Sequence, residues 1–131
     1  MAKLPFQTVL TMFLRGAENY ITRKPMVVSF EVTHSCNANC LHCDKGGLEK
    51  NEERLPPDKY ADISKRLKPA VVQISGGEPL MRDDIYDVIR FIRNPGAVPF
   101  LIFVTNGYLL NDSNYYNLKN AGVDRFSISL D

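Results

Sequence analysis

The chain has 131 residues, of which 44% are hydrophobic and 24% charged, ordinary values for a single globular domain. This composition excludes a disordered tail, a collagen-like rod and a disulfide-dense miniprotein. Lys and Arg (16) nearly balance Asp and Glu (15), so the formal net charge of +1 does not favour a nucleic-acid partner. No apolar run approaches the ~18–20 residues that a membrane-spanning helix needs.

The first predicted element is an amphipathic helix over residues 5–21. Its apolar residues recur at three- and four-residue spacing, typical of one helical face: Phe6, Val9, Leu10, Phe13, Ala17 and Ile21. Pro25 prevents the helix from continuing. We expect residues 1–25 to form this helix and its lead-in, with the helix packed against the domain. Because the segment is basic, contact with an anionic membrane surface is the alternative.

Strands and helices are predicted to alternate from residue 26 onward. Four short apolar runs are typical of strands: 26–33, 71–75, 100–104 and 126–130. Helical spacing between them predicts one helix after Asp58, one with Asp83 as its N-cap, and one over 112–121 that Gly122 caps. This alternation indicates β-α-β units with right-handed crossovers. The predicted fold class is α/β, a parallel sheet of four strands preceded by an N-terminal helix.

The connection after the first strand is unusually long. Residues 36–57 show no periodicity, whereas β-α loops usually take ~2–6 residues. All three cysteines of the chain lie here, and long loops in compact domains are often functional. Three other loops, at 75–79, 105–107 and 129–131, follow strands. The carboxyl ends of parallel strands share one edge of a sheet, so we expect these four loops to meet there.

Cys36, Cys40 and Cys43 are spaced as C-x3-C-x2-C, close enough to surround one metal centre. Thiolates select zinc or iron–sulfur clusters. The spacing favours a cluster with one open iron over a structural zinc site completed by His42 or His34. An odd number of clustered cysteines also indicates a reducing compartment such as the cytoplasm rather than a secreted disulfide framework.

The motif Gly76-Gly77-Glu78-Pro79 directly follows the second predicted strand. Glycine permits positive φ and a close approach of the backbone to a ligand. Backbone N–H and C=O groups at a strand end can then bind a polar ligand. A Gly-Gly turn by itself is weak evidence, because most such turns only reverse the chain.

In this order, and after these elements, the two motifs resemble the signatures of the radical S-adenosylmethionine (radical SAM) superfamily. Those signatures are C-x3-C-x-Φ-C, where Φ is usually aromatic, and a G-G-E-P-type turn. The resemblance covers residues 26–131 and stops at superfamily level. It implies a partial TIM-type barrel of six β-α units. Because only four of these strands are predicted here, residues 26–131 are expected to be a truncated core. Expressed alone, the chain is expected to be poorly soluble or to self-associate through its last strand. It is also expected to lack substrate turnover.

The resemblance implies that Cys36, Cys40 and Cys43 bind a 4Fe–4S cluster whose open iron takes the amino and carboxylate groups of SAM. It implies no other catalytic side chain. The implied reaction is reductive cleavage of SAM to methionine and a 5′-deoxyadenosyl radical, which abstracts hydrogen from an unidentified small-molecule or peptide substrate. A flavodoxin or ferredoxin is the implied electron donor.

The resemblance also implies a set of SAM-binding residues. His42 takes the Φ position beside the adenine, and the turn that holds the methionine amino group consists of Gly76, Gly77, Glu78 and Pro79. Four residues are matched to strand ends, where ordinary capping is an equal alternative: Ser129 and Asp131 at the ribose, and Thr105 and Asn106 facing cofactor or substrate. Gly77→Val is therefore expected to weaken SAM binding and to leave the cluster intact.

Charged residues near these motifs are expected to serve the surface. Asp44, Lys45 and the 49–54 run are assigned to solvent, and Arg82 to the first turn of the next helix or to solvent. Two alternatives to a radical SAM enzyme stay open. One is a non-catalytic module with cysteine-bound zinc or iron–sulfur. The other is a catalytically incomplete fragment that keeps the cluster loop.

Overall fold

Helices and strands alternate along the chain in this computed structural model, which describes residues 4–45, 47, 52–94 and 98–129. The helices are α1 (Phe6–Thr22), α2 (Pro57–Leu67), α3 (Ile85–Arg93) and α4 (Asp112–Ala121), with a 3₁₀ turn at Pro79–Met81. The strands are β1 (Val27–Glu31), β2 (Val71–Ser75), β3 (Phe100–Thr105) and β4 (Arg125–Ile128). The predicted order of elements is confirmed.

The strands form one parallel sheet in the order β1-β2-β3-β4. One row of paired residues crosses the whole sheet: Phe30, Ile74, Phe103 and Phe126. Ile74 and Phe103 are fully buried in this row. A slip of one residue would turn the row to the other face, so its burial fixes the register. The predicted α/β class with a four-stranded parallel sheet is confirmed.

Helices cover one face of the sheet. α3 buries four side chains at helical spacing, as the sequence predicts: Ile85, Val88, Ile89 and Ile92. They pack in one core with Val72 and Leu101 from the sheet. Each fully buried side chain of this size contributes about 1.5–3 kcal/mol to folding. The helix-covered face therefore supplies most of the apolar burial that holds the strands in place.

Two predicted helix ends have different outcomes. Gly122 is the C-cap of α4 with a φ of 125°, which confirms the prediction. The prediction of Asp83 as the N-cap of α3 is wrong, because Asp84 holds that position. The Asp84 side chain makes no capping hydrogen bond, since its carboxylate instead accepts two from the guanidinium of Arg82.

α1 is present as predicted, but its apolar stripe does not face the domain. Phe6, Phe13 and Ile21 are 79%, 71% and 79% exposed. The helix packs through a more polar side, on which Asn19 is fully buried and Arg15 borders a cleft with Val98. Hydrophobic periodicity therefore identifies the helix and gives the wrong contact face. Contact of the apolar stripe with an anionic membrane surface stays a prediction.

Asn19 anchors α1 at the amino edge of the sheet. Its side-chain amide donates to the carbonyl oxygens of Pro25, at 2.8 Å, and Lys68, at 2.9 Å. Pro25 precedes β1 and Lys68 precedes β2, so one side chain joins α1 to the starts of two strands. None of the described helices is both long and apolar enough to cross a membrane.

Asn19→Ala should detach this end of α1. The variant loses two hydrogen bonds and leaves two carbonyl oxygens without these donors, so the free energy of unfolding should fall by about 1–3 kcal/mol. Urea unfolding measures the change. Thr22→Ala is the matched control, because it removes only an exposed hydrogen bond to the Glu18 carbonyl and should cost less than about 0.5 kcal/mol. Equal effects of the two substitutions would contradict the anchoring role.

Candidate functional site

A cavity of ≈ 150 Å³ lies at the carboxyl edge of the sheet. The long loop after β1 supplies one wall of the cavity with Cys36, Cys40, His42, Cys43 and Lys45. The three cysteines are free thiols; Cys36 is buried and Cys43 is exposed. All three cysteines therefore border one cavity at this edge of the sheet.

The strand ends supply the opposite wall. β2 contributes Gly76 and Gly77 from the turn that follows it, β3 contributes Thr105 and Asn106, and Ser129 follows β4. The expected meeting of the four loops at one edge of the sheet is confirmed for these residues. Asp131 lies outside the described residues.

The Gly-Gly turn packs against the backbone that leads from β1 to the cysteines. The N–H of Gly77 donates to the Thr33 carbonyl, and the N–H of Glu78 donates to the Ser35 carbonyl, both at 2.8 Å. An added Cβ would lie 2.4 Å from the Thr33 oxygen at Gly76 and 2.2 Å from the Ser35 oxygen at Gly77. Gly76 also has a φ of 133°, which glycine alone adopts easily. Backbone contact therefore requires both glycines.

This contact changes the expectation for Gly77→Val. A side chain at position 77 first meets the carbonyls of His34 and Ser35, which directly precede Cys36. Either the turn or the segment that carries Cys36 must shift to make room. We therefore expect the substitution to disturb the cysteine site as well as ligand binding, in place of the intact cluster predicted from the sequence.

Glu78 lies behind the cavity wall and is fully buried. Its carboxylate accepts hydrogen bonds from the Thr105 hydroxyl at 2.9 and 3.0 Å, from the Asn106 N–H at 2.8 Å, and from the Leu80 N–H at 3.1 Å. A buried carboxylate is tolerated only when such donors replace water. Glu78 therefore ties the turn after β2 to the end of β3. Pro79 is also buried.

Two of the cysteine sulfurs accept hydrogen bonds. Cys36 Sγ accepts from the Ala38 N–H at 3.4 Å and from the side-chain amide of Asn106 at 3.8 Å. Cys43 Sγ accepts from the Lys45 N–H at 3.4 Å. Among the described residues, no three His, Cys, Asp or Glu side chains are arranged to hold a single metal ion. A cubane cluster does not require that arrangement, because each cysteine binds a different iron.

Glu52 binds the far end of the long loop to the backbone and side chains that follow β1. Its carboxylate accepts from the Thr33 hydroxyl at 2.7 Å and from the His34 N–H, and it pairs with Arg54 at 2.9 Å. Burial alone would raise the pKa of Glu52, but these hydrogen bonds outweigh burial and hold the pKa below its usual value. The expectation of a solvent-facing charge run is wrong for Glu52, whose side chain is 5% exposed.

Lys45 also departs from the expected surface position. It lines the cavity, and its ammonium group pairs with Glu31 at the end of β1. The hydrogen bond to Glu31 raises the pKa of Lys45 above its usual value. The pair joins the cysteine loop to the strand from which it departs.

Arg82 binds Asp84 at the start of α3, as expected. The alternative position in solvent is wrong, because Arg82 is 1% exposed. Besides Asp84, its guanidinium donates to the Val32 carbonyl at 2.9 Å, the Tyr60 hydroxyl at 3.0 Å and the Leu55 carbonyl at 2.7 Å. Burial opposes the charge, but the bonds to Asp84 and Tyr60 outweigh it and raise the pKa of Arg82. No sequence pattern distinguishes this buried arginine from a surface one.

Fold and site together define an α/β protein in which three cysteines and a Gly-Gly turn line one cavity at the carboxyl edge of a parallel sheet. The chain belongs to the radical SAM superfamily, whose family model matches residues 30–131. The resemblance read from the sequence is confirmed. Membership implies a 4Fe–4S cluster and SAM as cofactors and SAM-dependent radical chemistry.

The chain is similar in sequence to curated proteins of several organisms. It is 35% identical over 113 residues to a "Probable GTP 3',8-cyclase" of Methanothermobacter marburgensis, covering 83% of this chain and 36% of that protein. It is 34% identical over 119 residues to an "AdoMet-dependent heme synthase" of Methanosarcina barkeri, covering 85% and 32%. The chain thus spans about a third of the length of these curated relatives.

Solved structures share the fold. BtrN in complex with AdoMet and 2-DOIA matches with a TM-score of 0.66 at 22% identity, over 79% of this chain and 45% of that one. Streptococcus suis SuiB bound to S-adenosylmethionine matches with a TM-score of 0.62 at 18% identity, over 99% of this chain and 30% of that one. The four-stranded sheet therefore corresponds to part of a larger fold in these proteins.

Gly77→Ala should disturb the cysteine segment rather than a ligand alone. The new Cβ would overlap the Ser35 carbonyl, so the free energy of unfolding should fall by about 1–3 kcal/mol and reconstituted iron should decrease. Gly16→Ala is the control, because its Cβ would meet only the Met26 sulfur at 3.8 Å and alanine favours the helix. A Gly77→Ala chain with unchanged stability and iron content would contradict the backbone contact.

Glu52 should make stability depend on pH. Its pKa is lowered by folding, so its contribution is complete above the ordinary glutamate pKa and is lost as pH falls through the lower, folded-state value. Urea unfolding of wild type and Glu52→Gln at a series of pH values tests this. The stability difference should be largest near neutral pH and should shrink in acid. A difference that grows on acidification would show that the carboxylate is not held ionised by these bonds.

Proposed function

We propose that this chain binds a 4Fe–4S cluster through Cys36, Cys40 and Cys43 and binds SAM in the adjoining cavity, as the core of a radical SAM enzyme. The observation that carries the proposal is the shared cavity, which the three cysteines line together with the Gly-Gly turn and residues at the ends of β3 and β4. Superfamily membership supports the same assignment.

The residues present fit an iron–sulfur cluster. The donor set consists of three thiols in one loop, and soft thiolates select this class of centre. N–H donors already point at two of the sulfurs, Cys36 and Cys43. Such donors stabilise the negative charge that sulfur ligands carry in a cluster. The loop is also fixed at both ends, by the backbone of the Gly-Gly turn and by Glu52.

The strand-end wall is the proposed site for SAM. Gly76 and Gly77 line the cavity with backbone, where the methionine amino group would bind. His42 lines the cysteine wall, where the adenine would bind, and Ser129 lines the wall where the ribose would bind. Glu78 and Pro79 act from behind the wall by fixing the shape of the turn. A ribose contact is also proposed for Asp131, which lies outside the described residues.

Reductive cleavage of SAM to a 5′-deoxyadenosyl radical is the chemistry that the cluster supplies when bound. The chain's own residues orient and enclose the reactants. The Gly-Gly turn and the 33–35 backbone hold the cysteine loop beside the cavity, and Lys45, paired with Glu31, lines the same cavity.

The substrate is proposed only by class. The names of similar proteins range from a cyclase acting on GTP to a heme synthase, and one structural neighbour is described as bound to a precursor peptide. We therefore propose a small-molecule or peptide substrate, a flavodoxin or ferredoxin as electron donor, and a reducing cytoplasm. Residues 1–25 are proposed as an N-terminal helical segment, separate from a radical SAM core at 26–131.

Alanine at any one of Cys36, Cys40 or Cys43 should abolish cluster assembly, because two thiolates remain where three irons need anchoring. Anaerobic reconstitution of the chain, followed by assays of iron and sulfide, measures this. Wild type should bind about four irons and four sulfides per chain. Asn39→Ala, an exposed change between two of the cysteines, should load fully.

Two results would overturn the proposal. Stoichiometric zinc without sulfide in the wild type would indicate a structural metal module instead. Full iron content with an unchanged spectrum in any one of the three alanine variants would remove that cysteine from the cluster.

A further inference from the structure

The side chain of Asn106 lies between the end of β3 and the most buried cysteine. Its Nδ2 is 3.8 Å from Cys36 Sγ and 2.8 Å from Asn37 Oδ1. Its Oδ1 accepts a hydrogen bond from the Tyr108 N–H at 2.9 Å. The Asn106 carboxamide therefore donates through its nitrogen and accepts through its oxygen, and the nitrogen faces the Cys36 sulfur.

The orientation of this carboxamide is fixed by chemistry. The Tyr108 N–H is a donor only, so it must face the carboxamide oxygen and not the nitrogen. A flipped amide would set two donors against each other at Tyr108 and two acceptors against each other at Asn37. The amide hydrogens of Asn106 consequently point toward Cys36 and Asn37.

The backbone of Asn106 is fixed as well. Its N–H donates to Glu78 Oε2 at 2.8 Å, and the preceding Thr105 hydroxyl donates to both oxygens of the same carboxylate. Glu78 is fully buried and Thr105 is 2% exposed. Glu78, in the motif after β2, thereby fixes the position of Asn106 at the end of β3. Glu78 itself contacts no cysteine in these hydrogen bonds.

We propose that Asn106 is a hydrogen-bond donor to the Cys36 thiolate that raises the reduction potential of the bound cluster, and that Glu78 is the positioning residue for it. The inference rests on the proposed function. Reduction adds negative charge to the cluster and its sulfurs, so a donor to sulfur stabilises the reduced state more than the oxidised one. Cys36 is the buried cysteine, where the surroundings screen this interaction least.

The test is the midpoint potential of the reconstituted chain, measured without SAM. Asn106→Ala should lower the potential by the equivalent of roughly a tenfold change in the reduction equilibrium, about 59 mV for one electron. Asn106→Asp keeps the acceptor for Tyr108, loses the donor and adds a negative charge, so it should lower the potential further. Asn39→Ala is the matched control, an asparagine of the cysteine loop that should leave the potential unchanged.

The role of Glu78 is tested by a double-mutant cycle. Glu78→Gln places an amide nitrogen where N–H groups now donate, so the position of Asn106 should shift and the potential should fall. In an Asn106→Ala background the same change should have no further effect. Equal shifts in both backgrounds would show that Glu78 acts on stability or on overall charge and not through Asn106.

The outcomes separate this inference from the proposed function. A wild-type chain that binds no cluster would overturn both. Variants that load a full cluster at the wild-type potential would overturn only the inference. Weaker SAM binding at an unchanged SAM-free potential would make Asn106 a contact for the cofactor instead. Should Asn106→Ala fail to load iron, Glu78→Gln decides: a lowered potential supports the inference and an unchanged potential overturns it.

Discussion

The site depends on the contact between two stretches of backbone, the Gly76-Gly77 turn and residues 33–35. Hydrogen bonds continue from β1 and β2 past the ends of the strands, so the chain leading to Cys36 is held beside the turn. Any side chain on the turn would enter the space of the opposite carbonyls. The same two glycines therefore place the cysteine loop and line the cavity beside it.

Two buried charges of opposite sign flank this contact and hold it from either side. Glu78 binds the turn to the end of β3, and Arg82 binds the carbonyls of Val32 and Leu55, which begin and end the long connection. Each charge is buried with several hydrogen-bonding partners, the condition under which burial of an ion is tolerated. Removing one partner would leave part of a buried charge without a hydrogen bond, so the turn tolerates little change in its neighbours.

Sequence patterns predict most of the fold, because the spacing of apolar residues reflects which face of each element is buried. Alternate residues of β2 are buried at Val72 and Ile74, and residues of α3 four apart are buried at Ile85 and Ile89. The cysteines and the Gly-Gly turn are likewise recognisable from spacing. The contact side of α1 is not, because Asn19 anchors the helix through hydrogen bonds to two carbonyls, one of them, that of Lys68, distant in sequence. The positions of Glu52 and Arg82 depend on partners that tertiary folding brings together, and charge alone suggests solvent. The sequence predicts correctly that glycine is needed at positions 76 and 77. The structural cause is contact with the backbone of residues 33–35, and not the approach of a ligand.

The proposed function requires SAM to bind in the cavity directly at a cluster carried by the cysteine loop. The hyperfine coupling between the reduced cluster of the reconstituted chain and SAM isotopically labelled at its amino nitrogen tests this. We expect a coupling that indicates a bond between that nitrogen and iron, and its loss in Gly77→Ala. Tight SAM binding with no such coupling in the wild type would contradict direct binding at the cluster.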